Sequence, residues 1–598
     1  MDYRKGSFGS EGPEFFSSSV SEVDFSPHSF SASLTRVGSL TTEGTTLRTG
    51  RPRVTIQGDD YFDNDDKDQV LPQLSTEQTP LLHPGEQKSR GKSFGLSWHG
   101  SMNNAVFSSI SHAFSTSIRK LQKSLGFAQG FLLIVGILIG SGIFLSPSLV
   151  AHSTKNMGMA LMIWIGCGLI ALFGALCFCE LGCAIKRAGG NYAYILEAYG
   201  ALPAFLCSWT TVFIIDPAGL AAITLTFGTY AVKPFHEDTE EVAWLAKVLA
   251  AACIAIIAVV NCTSVHAAAR AQAIFTVAQI LSVVFVIVLG VWQMGEGNVD
   301  NIRTMFDSDM NNNTTNSSGS SFGVSQLGQL AIALYNGLWS YDGWALVSNV
   351  TEEMHNLERN LFLSVITGIP FVIFCYVAVN LSLMTVLTRD EIANSPTIVI
   401  TFVQKILGRK VAYVMPVLVA LSCFGAANGT VFACGRLTLA AAREGHMPEA
   451  FGMIHKKRLT PIPAVLLASL ISGLMLIPDA TNLESLIGFF NFACWTIYGM
   501  SIFAVIVLRI RRPEMERPFR IWLIVPVLMT LISLFLVVIP FFNKPIESTL
   551  SIAVILLGVP IYFVCVYMKP NHCSCFVKCM KIFNRATQKA FNLAPCKF

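Results

Sequence analysis

Charged residues are scarce in this chain. They make up 13% of its 598 residues, and hydrophobic residues make up 52%. Soluble proteins are about 25% charged, so this chain has too little polar surface to cover several soluble domains. The composition argues against a soluble enzyme, a nucleic-acid binder or a disordered scaffold. The net charge of +4 is too small for a chain of this length to indicate a nucleic-acid partner. Lipid is the expected surrounding for most of the chain.

Long apolar runs are absent from residues 1–120, which are rich in Ser, Thr, Gly, Pro and Asp. Such a segment cannot offset the entropy lost on ordering, so we predict a disordered N-terminal tail. No apolar stretch follows the first five residues, so no cleavable signal peptide is predicted and the tail is expected to stay in the cytosol. Residues 77–82, from Glu77 to Leu82, have the acidic dileucine form that adaptor proteins read. This motif makes an endosomal or lysosomal membrane the alternative to the plasma membrane.

Residues 121–568 contain apolar runs of the length that a spanning helix needs, about 20 residues. They lack the alternation of short transmembrane β-strands. We therefore predict an all-α integral membrane domain, followed by a cytosolic tail at 569–598. The twelve predicted spans are 126–150, 159–183, 203–231, 243–261, 270–293, 324–348, 362–386, 411–437, 461–477, 484–508, 520–541 and 548–568.

Loop charge predicts how the bundle is oriented, because basic loops stay on the cytosolic side. The loops after the eighth and tenth spans are basic, with Arg443 and Arg509 at their starts. The loop after the third span is acidic and is predicted to lie outside, as is the loop after the fifth span. The latter contains three sequons for N-glycosylation, at Asn312, Asn313 and Asn316.

Cysteines are absent from the predicted outer loops, so no disulfide is predicted there. Twelve of the 16 cysteines lie in the spans or at their inner ends, where they serve as small packing residues. The other four lie in the C-terminal tail, where palmitoylation is favoured over zinc binding or an unmodified tail. Their spacing does not fit a zinc finger, and no metal site or cofactor is predicted. The four tail cysteines are Cys573, Cys575, Cys579 and Cys596.

Two predicted spans contain residues that interrupt a helix in mid-membrane. The triplet Gly140-Ser141-Gly142 in the first span would open backbone N–H groups that suit a carboxylate, unless it is only a small-residue packing face. In the sixth span Asp342 precedes Gly343, and an acid at this depth marks a functional site unless it has a structural role. Interruptions in the first and sixth spans are typical of an inverted repeat of five plus five helices.

These motifs resemble those of a known family over about residues 123–568. The segments that carry the resemblance are 139–147, 350–354 with Asn360 and Leu361, and 443–448 with Ile454, His455 and 458–461. The chain resembles the light subunits of the heteromeric amino-acid transporters, the L-type branch of the amino acid–polyamine–organocation superfamily. The resemblance implies a LeuT-like fold and obligatory exchange of amino acids by alternating access, with no catalytic residue.

The resemblance also implies a substrate site. The triplet at 140–142 would hold the carboxylate, backbone carbonyls of the broken sixth span would hold the amine, and Trp339 would close over the substrate as a gate. Asp342 matches an acid of the branch that exchanges cystine and dibasic amino acids for neutral ones, which favours cationic and neutral substrates. The implied substrate-binding residues are Gly140, Ser141, Gly142, Leu338, Trp339, Asp342 and Asn428.

Four positions depart from the family pattern. The loop at 233–238 lacks the cysteine that bonds a heavy chain in the family, so no disulfide-linked heavy chain is expected, while a noncovalent partner stays open. Asp216 stands where relatives have Lys or Arg, Gln279 replaces a Lys, and Ala345 replaces a polar residue of many relatives. The first two make the interior more acidic, which favours cationic substrates or protons.

The leading hypothesis is a sodium-independent exchanger of neutral and cationic amino acids. Two alternatives remain: an importer coupled to an ion or to protons, and an amino-acid sensor that signals through its N-terminal tail without transport.

Overall fold

The computed structural model describes residues 126–187, 189–236, 243–307, 324–395, 397–458, 460–478, 483–543, 545–568 and 574–595. The chain divides into two units, Met1–Ser97 and Trp98–Phe598, and the described residues belong to the second. Several predictions lie outside the described residues: the N-terminal tail with its motif at 77–82, the acidic loop at 237–241, the three sequons, Cys573 and Cys596.

Helices form almost all of the described structure. They are α1 (Phe127–Leu138), α2 (Gly142–Ser153), α3 (Met157–Ala184), α4 (Asn191–Tyr199), α5 (Ala201–Thr210), α6 (Asp216–Val232), α7 (Ala243–Thr263), α8 (Val265–Gly295), α9 (Asp300–Arg303), α10 (Val324–Ser340), α11 (Leu357–Val386), α12 (Arg389–Asn394), α13 (Ile398–Leu407), α14 (Arg409–Ala412), α15 (Val414–Arg443), α16 (Ile462–Met475), α17 (Leu483–Arg511), α18 (Ile524–Asn543), α19 (Pro545–Tyr562) and α20 (Ser574–Ala590). Two 3-10 segments, Trp344–Glu353 and Glu449–Gly452, two π turns, Thr211–Ile215 and Phe563–Tyr567, and two strands, β1 (Met453–His455) and β2 (Leu593–Pro595), complete the structure.

The predicted helical membrane domain is confirmed. Within the described part of the chain, nine helical segments are long and apolar enough to cross a bilayer, and α1 with α2 make a tenth if their 46° bend lies within one span. The chain is thus an integral membrane protein with several spans. Their bounds follow the hydropathy pattern closely: α3, at Met157–Ala184, matches the prediction of 159–183.

Two of the twelve predicted spans are shorter than expected. Helix α10 has 17 residues and ends at Ser340. Three residues later, Gly343 adopts a left-handed φ of 104°, which does not continue the helix. Helix α16 has 14 residues and ends shortly before Pro478, since a proline disfavours helical geometry in the residue before it. Neither helix is long enough by itself to be counted as a span.

The surface of the bundle is apolar where helices face outward. Met162 on α3 and Leu281 on α8 are both 60% exposed, and Leu531 on α18 is 59% exposed. Exposed apolar side chains on this scale would be unfavourable in water, whereas hydrocarbon is a favourable neighbour. Ten of the twelve cysteines that were predicted to pack in the spans are buried.

A buried ion pair joins three parts of the bundle. Glu180 on α3 is 1% exposed, and its Oε1 and Oε2 accept hydrogen bonds from Arg509 Nε (2.8 Å) and Nη2 (2.5 Å) on α17. Arg509 also donates to the carbonyl of Ile521, whose own N–H donates to Glu180 Oε2 at 2.9 Å. Both charges are therefore paired and hydrogen-bonded, as burial requires.

The C-terminal tail is folded, which was not predicted. Strand β2 pairs antiparallel with β1, so that Met453 lies opposite Pro595. Asn584 on α20 accepts a hydrogen bond from the N–H of Ala450 at 3.2 Å. The tail is thus bound to the segment after α15. Cys579, one of the predicted palmitoylation candidates, is exposed on α20, and Cys575 lies in the same helix.

Removal of the Glu180 charge is expected to destabilise the bundle. The variant Glu180→Gln leaves the Arg509 guanidinium buried without its counter-charge, which costs about 3–5 kcal/mol. The melting temperature of the detergent-purified protein should fall clearly. The control is Glu358→Gln, which removes the partner of Lys186 in an exposed pair and should change stability by about 1 kcal/mol or less. Equal melting temperatures for the two variants would contradict the assigned role.

Candidate functional site

A cavity of about 130 Å³ lies where the two interrupted spans meet. Residues of the α1–α2 break, of the break after α10, and of α6, α15 and α17 form its walls. It brings together five of the seven predicted substrate-binding residues, which are Gly140, Ser141, Gly142, Trp339 and Asp342.

The predicted interruption of the first span is confirmed. Helix α1 ends at Leu138 and α2 begins at Gly142, with a bend of 46° between them. The N–H of Gly140 turns back to the carbonyl of Leu138 at 2.8 Å. The first N–H groups of α2, those of Gly142 and Ile143, have no preceding helical turn to bond. They form the positive end of a helix dipole at the cavity, which suits a carboxylate.

The predicted interruption of the sixth span is also confirmed. Helix α10 ends at Ser340, a turn follows through Gly343, and the chain continues as the 3-10 segment Trp344–Glu353. The carbonyls of Leu338 and Trp339 accept turn hydrogen bonds from the N–H groups of Tyr341 (3.1 Å) and Asp342 (3.2 Å). Each carbonyl oxygen retains a second lone pair for another donor.

The two interruptions are in direct contact, and glycine makes this contact possible. A Cβ added to Gly142 would lie 2.6 Å from Ser340 Cα, which is backbone that cannot move aside cheaply. A Cβ added to Gly343 would overlap Ile137 Cγ2, and the left-handed φ at this position also favours glycine. Both glycines are therefore required by the close approach of the two broken spans.

One hydroxyl group bonds to both breaks. Tyr376 on α11 is fully buried, and its Oη lies 2.5 Å from the carbonyl oxygen of Leu138 and 2.8 Å from that of Ser340. These carbonyls belong to the last residues of α1 and α10. Because a hydroxyl carries a single proton, the two carbonyls share one donor. The Tyr376 ring is fixed by edge-on packing against Trp164, with the ring centroids 5.3 Å apart.

Asp342 is held by neutral donors only. Its Oδ1 accepts a hydrogen bond from Tyr498 Oη at 2.8 Å and lies 3.9 Å from Cys494 Sγ, both on α17. None of the ion pairs among the described residues includes Asp342. Nor does the described part of the chain group three or more His, Cys, Asp or Glu side chains in a way that could hold a metal. Asp342 thus has positioning contacts without a compensating charge.

Comparison with known proteins decides the family. The Amino acid permease family profile matches residues 125–565. The chain belongs to the amino acid permease family.

Individual relatives in this family cover most of the chain. The human b(0,+)-type amino acid transporter 1 is 42% identical over 450 residues, or 75% of this chain and 89% of the relative. The human cystine/glutamate transporter is 37% identical, over 74% of this chain and 85% of the relative. The mouse large neutral amino acids transporter small subunit 2 is 36% identical, over 78% and 85%. The resemblance to transporter light subunits is confirmed, and this permease belongs among transporters, not enzymes.

Two predicted site residues of the permease lie outside the cavity lining. Leu338 is buried behind it, although the neighbouring Trp339 lines the cavity and packs edge-on against Phe490 at 4.8 Å between centroids. Asn428 accepts a hydrogen bond from Asn261 (2.9 Å) and donates one to Gln272 Oε1 (3.0 Å). Gln272 is the lining residue, so Asn428 acts on the cavity through its neighbour.

Of the departures from the family pattern, Asp216 and Ala345 line the cavity. Asp216 begins α6 directly after the π turn Thr211–Ile215. Gln279 on α8 is fully buried outside the lining, and its Nε2 donates to the carbonyl of Ser422 at 2.9 Å. Gln279 therefore supports the wall near the first break without facing the cavity.

Several residues of the site were not predicted. Among them, Tyr376, Ser340, Tyr498 and Phe490 touch the breaks or the cavity. The pair Asn491 and Tyr498 gave a weak signal, since polar residues in an apolar span mark an inward face. No local signal identifies Tyr376, because its role depends on the packing of α11 against both breaks.

The contact of the two breaks predicts that Gly343→Ala loses transport. The added methyl group overlaps Ile137. The alanine must also adopt the left-handed φ of this position, which costs a non-glycine residue about 1–3 kcal/mol. Amino-acid uptake into proteoliposomes should fall at least about tenfold, the rate equivalent of 1.4 kcal/mol. The control Gly166→Ala has open space around its Cβ and should retain uptake. Full uptake by Gly343→Ala would show that the contact is dispensable.

The Tyr376 hydroxyl, which both breaks share as a donor, predicts a second effect on amino-acid uptake. The variant Tyr376→Phe removes this donor from the carbonyls of Leu138 and Ser340. The carbonyl of Leu138 still accepts from the N–H of Gly140, but a buried carbonyl that loses its donor costs about 1–3 kcal/mol. Uptake should therefore fall several-fold to about a hundredfold, with unchanged elution on size exclusion. Tyr413→Phe, at a residue 42% exposed, is the matched control and should transport normally. Equal rates for the two variants would remove Tyr376 from the mechanism.

Proposed function

We propose that this permease exchanges neutral and cationic L-amino acids across a membrane by alternating access, independently of sodium. The observation that carries the proposal is the meeting of two interrupted spans at one cavity. An open helix N-terminus lies on one side of it and an uncompensated carboxylate on the other. Such interrupted helices are how transporters of this kind bind polar substrates at the bilayer midplane.

The two breaks offer complementary partners for a zwitterion. The N–H groups at Gly142 and Ile143 suit the substrate carboxylate. The carbonyls near Leu338 and Trp339 have lone pairs that suit the ammonium group, and Trp339 lies in position to cover the bound substrate. The backbone therefore recognises the part that all amino acids share, and side chains of the cavity select among them.

The charge of the lining favours cationic over anionic side chains. Asp342 and Asp216 contribute two acids, and the described lining residues include no Lys, Arg or His. An acidic side chain such as that of glutamate, which one relative has in its name, would meet repulsion here. The names of the other relatives, a b(0,+)-type transporter and a large neutral amino acids transporter, agree with cationic and neutral substrates.

We also propose twelve spans with a LeuT-like inverted repeat of five plus five. This count adds α10 with its 3-10 continuation, and α16, to the ten longer spans. Breaks in the first and sixth spans support it, since corresponding positions of two repeats break together. The basic loops at Arg443 and Arg509 support cytosolic termini, and we propose the plasma membrane, with an endosomal or lysosomal membrane as the alternative. A heavy chain, if bound, would associate without a disulfide.

The second candidate function is an importer coupled to an ion or to protons. Its support is Gln279, whose Oε1 is buried without a hydrogen-bond partner among the described residues. An acceptor of this kind is available to a cation or to a water molecule. Exchange remains the preferred proposal, because Gln279 lies outside the described lining of the cavity.

Counter-flow in proteoliposomes tests the proposed function. Uptake of labelled arginine and of labelled leucine should rise when unlabelled amino acid is inside, and should be unchanged when choline replaces sodium. Currents that require sodium or a proton gradient would favour the coupled importer instead. Binding without flux would favour the sensor hypothesis.

The charge of Asp342 predicts a selective effect. The variant Asp342→Asn should weaken arginine uptake about tenfold relative to leucine, since an opposite charge at contact distance in a poorly solvated cavity contributes more than about 1 kcal/mol. The control Asp390→Asn changes an exposed acid on α12 and should leave the ratio unchanged. An unchanged arginine-to-leucine ratio in Asp342→Asn would exclude this residue from the cation site.

A further inference from the structure

We propose that Asp216 forms a second cation-binding position in the cavity, in addition to Asp342, and that this position receives the side-chain ammonium or guanidinium group of cationic amino acids. The inference rests on the proposed function and adds to it a second acid that selects for the charge of the side chain.

Asp216 faces the cavity because of a local irregularity in its span. The π turn Thr211–Ile215 separates α5 from α6, and Thr211, Ile215, Asp216 and Gly219 all line the cavity. A π turn inserts an extra residue into the helix and is frequently found at functional sites. Here it places the carboxylate of Asp216 in the cavity wall.

The Asp216 carboxylate is not compensated by the protein. The thiol of Cys434 on α15 hydrogen-bonds to the carboxyl group, while Oδ2 is buried and has no hydrogen-bond partner among the described residues. A second polar group of the same cavity is also buried without a hydrogen-bond partner among the described residues. Ser340 is 3% exposed, and its Oγ also has no partner within the described structure. Unsatisfied polar groups on the walls of one cavity are available to a polar ligand or to water.

The groups that face Asp216 leave its charge unbalanced. From the neighbouring elements these groups are neutral or acidic: Cys207 on α5, Cys434 on α15, Cys494 on α17, and Asp342. A neutral amino acid brings no net charge to this pair of acids, whereas a dibasic one brings one positive charge. Because uncompensated charges are costly in a poorly solvated site, the cavity favours the dibasic substrate.

A comparison of binding tests the inference on the full-length protein in detergent or proteoliposomes. It compares arginine with citrulline, its neutral counterpart of the same shape. Asp216→Asn should reduce the preference for arginine over citrulline about tenfold.

A charge-conserving variant keeps the test decisive if Asp216→Asn does not fold. Asp216→Glu keeps the carboxylate, so it should retain the preference for arginine over citrulline. Leucine binding reports folding in each variant, and Asp390→Asn should behave as the wild type.

One outcome would overturn the inference while the proposed function stands. In it, the wild-type protein binds arginine and leucine, but Asp216→Asn keeps its full preference for arginine over citrulline. A wild-type protein that binds neither arginine nor leucine would instead overturn the proposed function.

Discussion

The structure depends on one constraint: backbone groups within a membrane need partners, and a broken helix leaves them without any. The carbonyls of Leu138 and Ser340, at the ends of α1 and α10, share the single proton of the Tyr376 hydroxyl, which joins the two breaks. At the start of α2, Gly142 lines the cavity, and the first N–H groups of this helix have no preceding turn to bond. The breaks therefore have an internal donor for their carbonyls, whereas these N–H groups are open to the anionic group that the proposed function requires.

Hydropathy and local residue type were sufficient to predict most of the spans and both breaks. Span length is set by bilayer thickness, and a Gly-Ser-Gly triplet or an Asp-Gly pair weakens a helix wherever it occurs. Tyr376 could not be predicted, because nothing around it in the sequence shows that α11 packs against two breaks at once. The tail helix α20 and strand β2 were missed for a similar reason: they depend on a docking surface after α15, not on apolar runs.

The substrate-binding residues that the family resemblance implies fall into two groups, those in the breaks and one on an intact helix. The triplet at 140–142 and Trp339 lie in the cavity wall because they belong to the breaks themselves. Asn428 lies on an intact helix, where its side chain is engaged by Asn261 and Gln272. A family position gives the backbone location of a residue, whereas the direction of its side chain depends on the residues packed around it. Asn428 therefore contacts Gln272, which lines the cavity, without lining the cavity itself.

The buried acids of this permease show where a ligand is needed. Glu180 is paired with the guanidinium of Arg509 and has hydrogen bonds to both oxygens, so its charge is compensated within the protein. Asp342 has only neutral donors, and one oxygen of Asp216 has none among the described residues. Burial of a carboxylate is costly without a cation or a bound proton, so these two acids are positions of the described lining at which a cation or a proton would be stabilised. In the exchange that we propose, a substrate with a cationic side chain would bring that charge into the cavity and carry it away on release, which a resident lysine or arginine could not do.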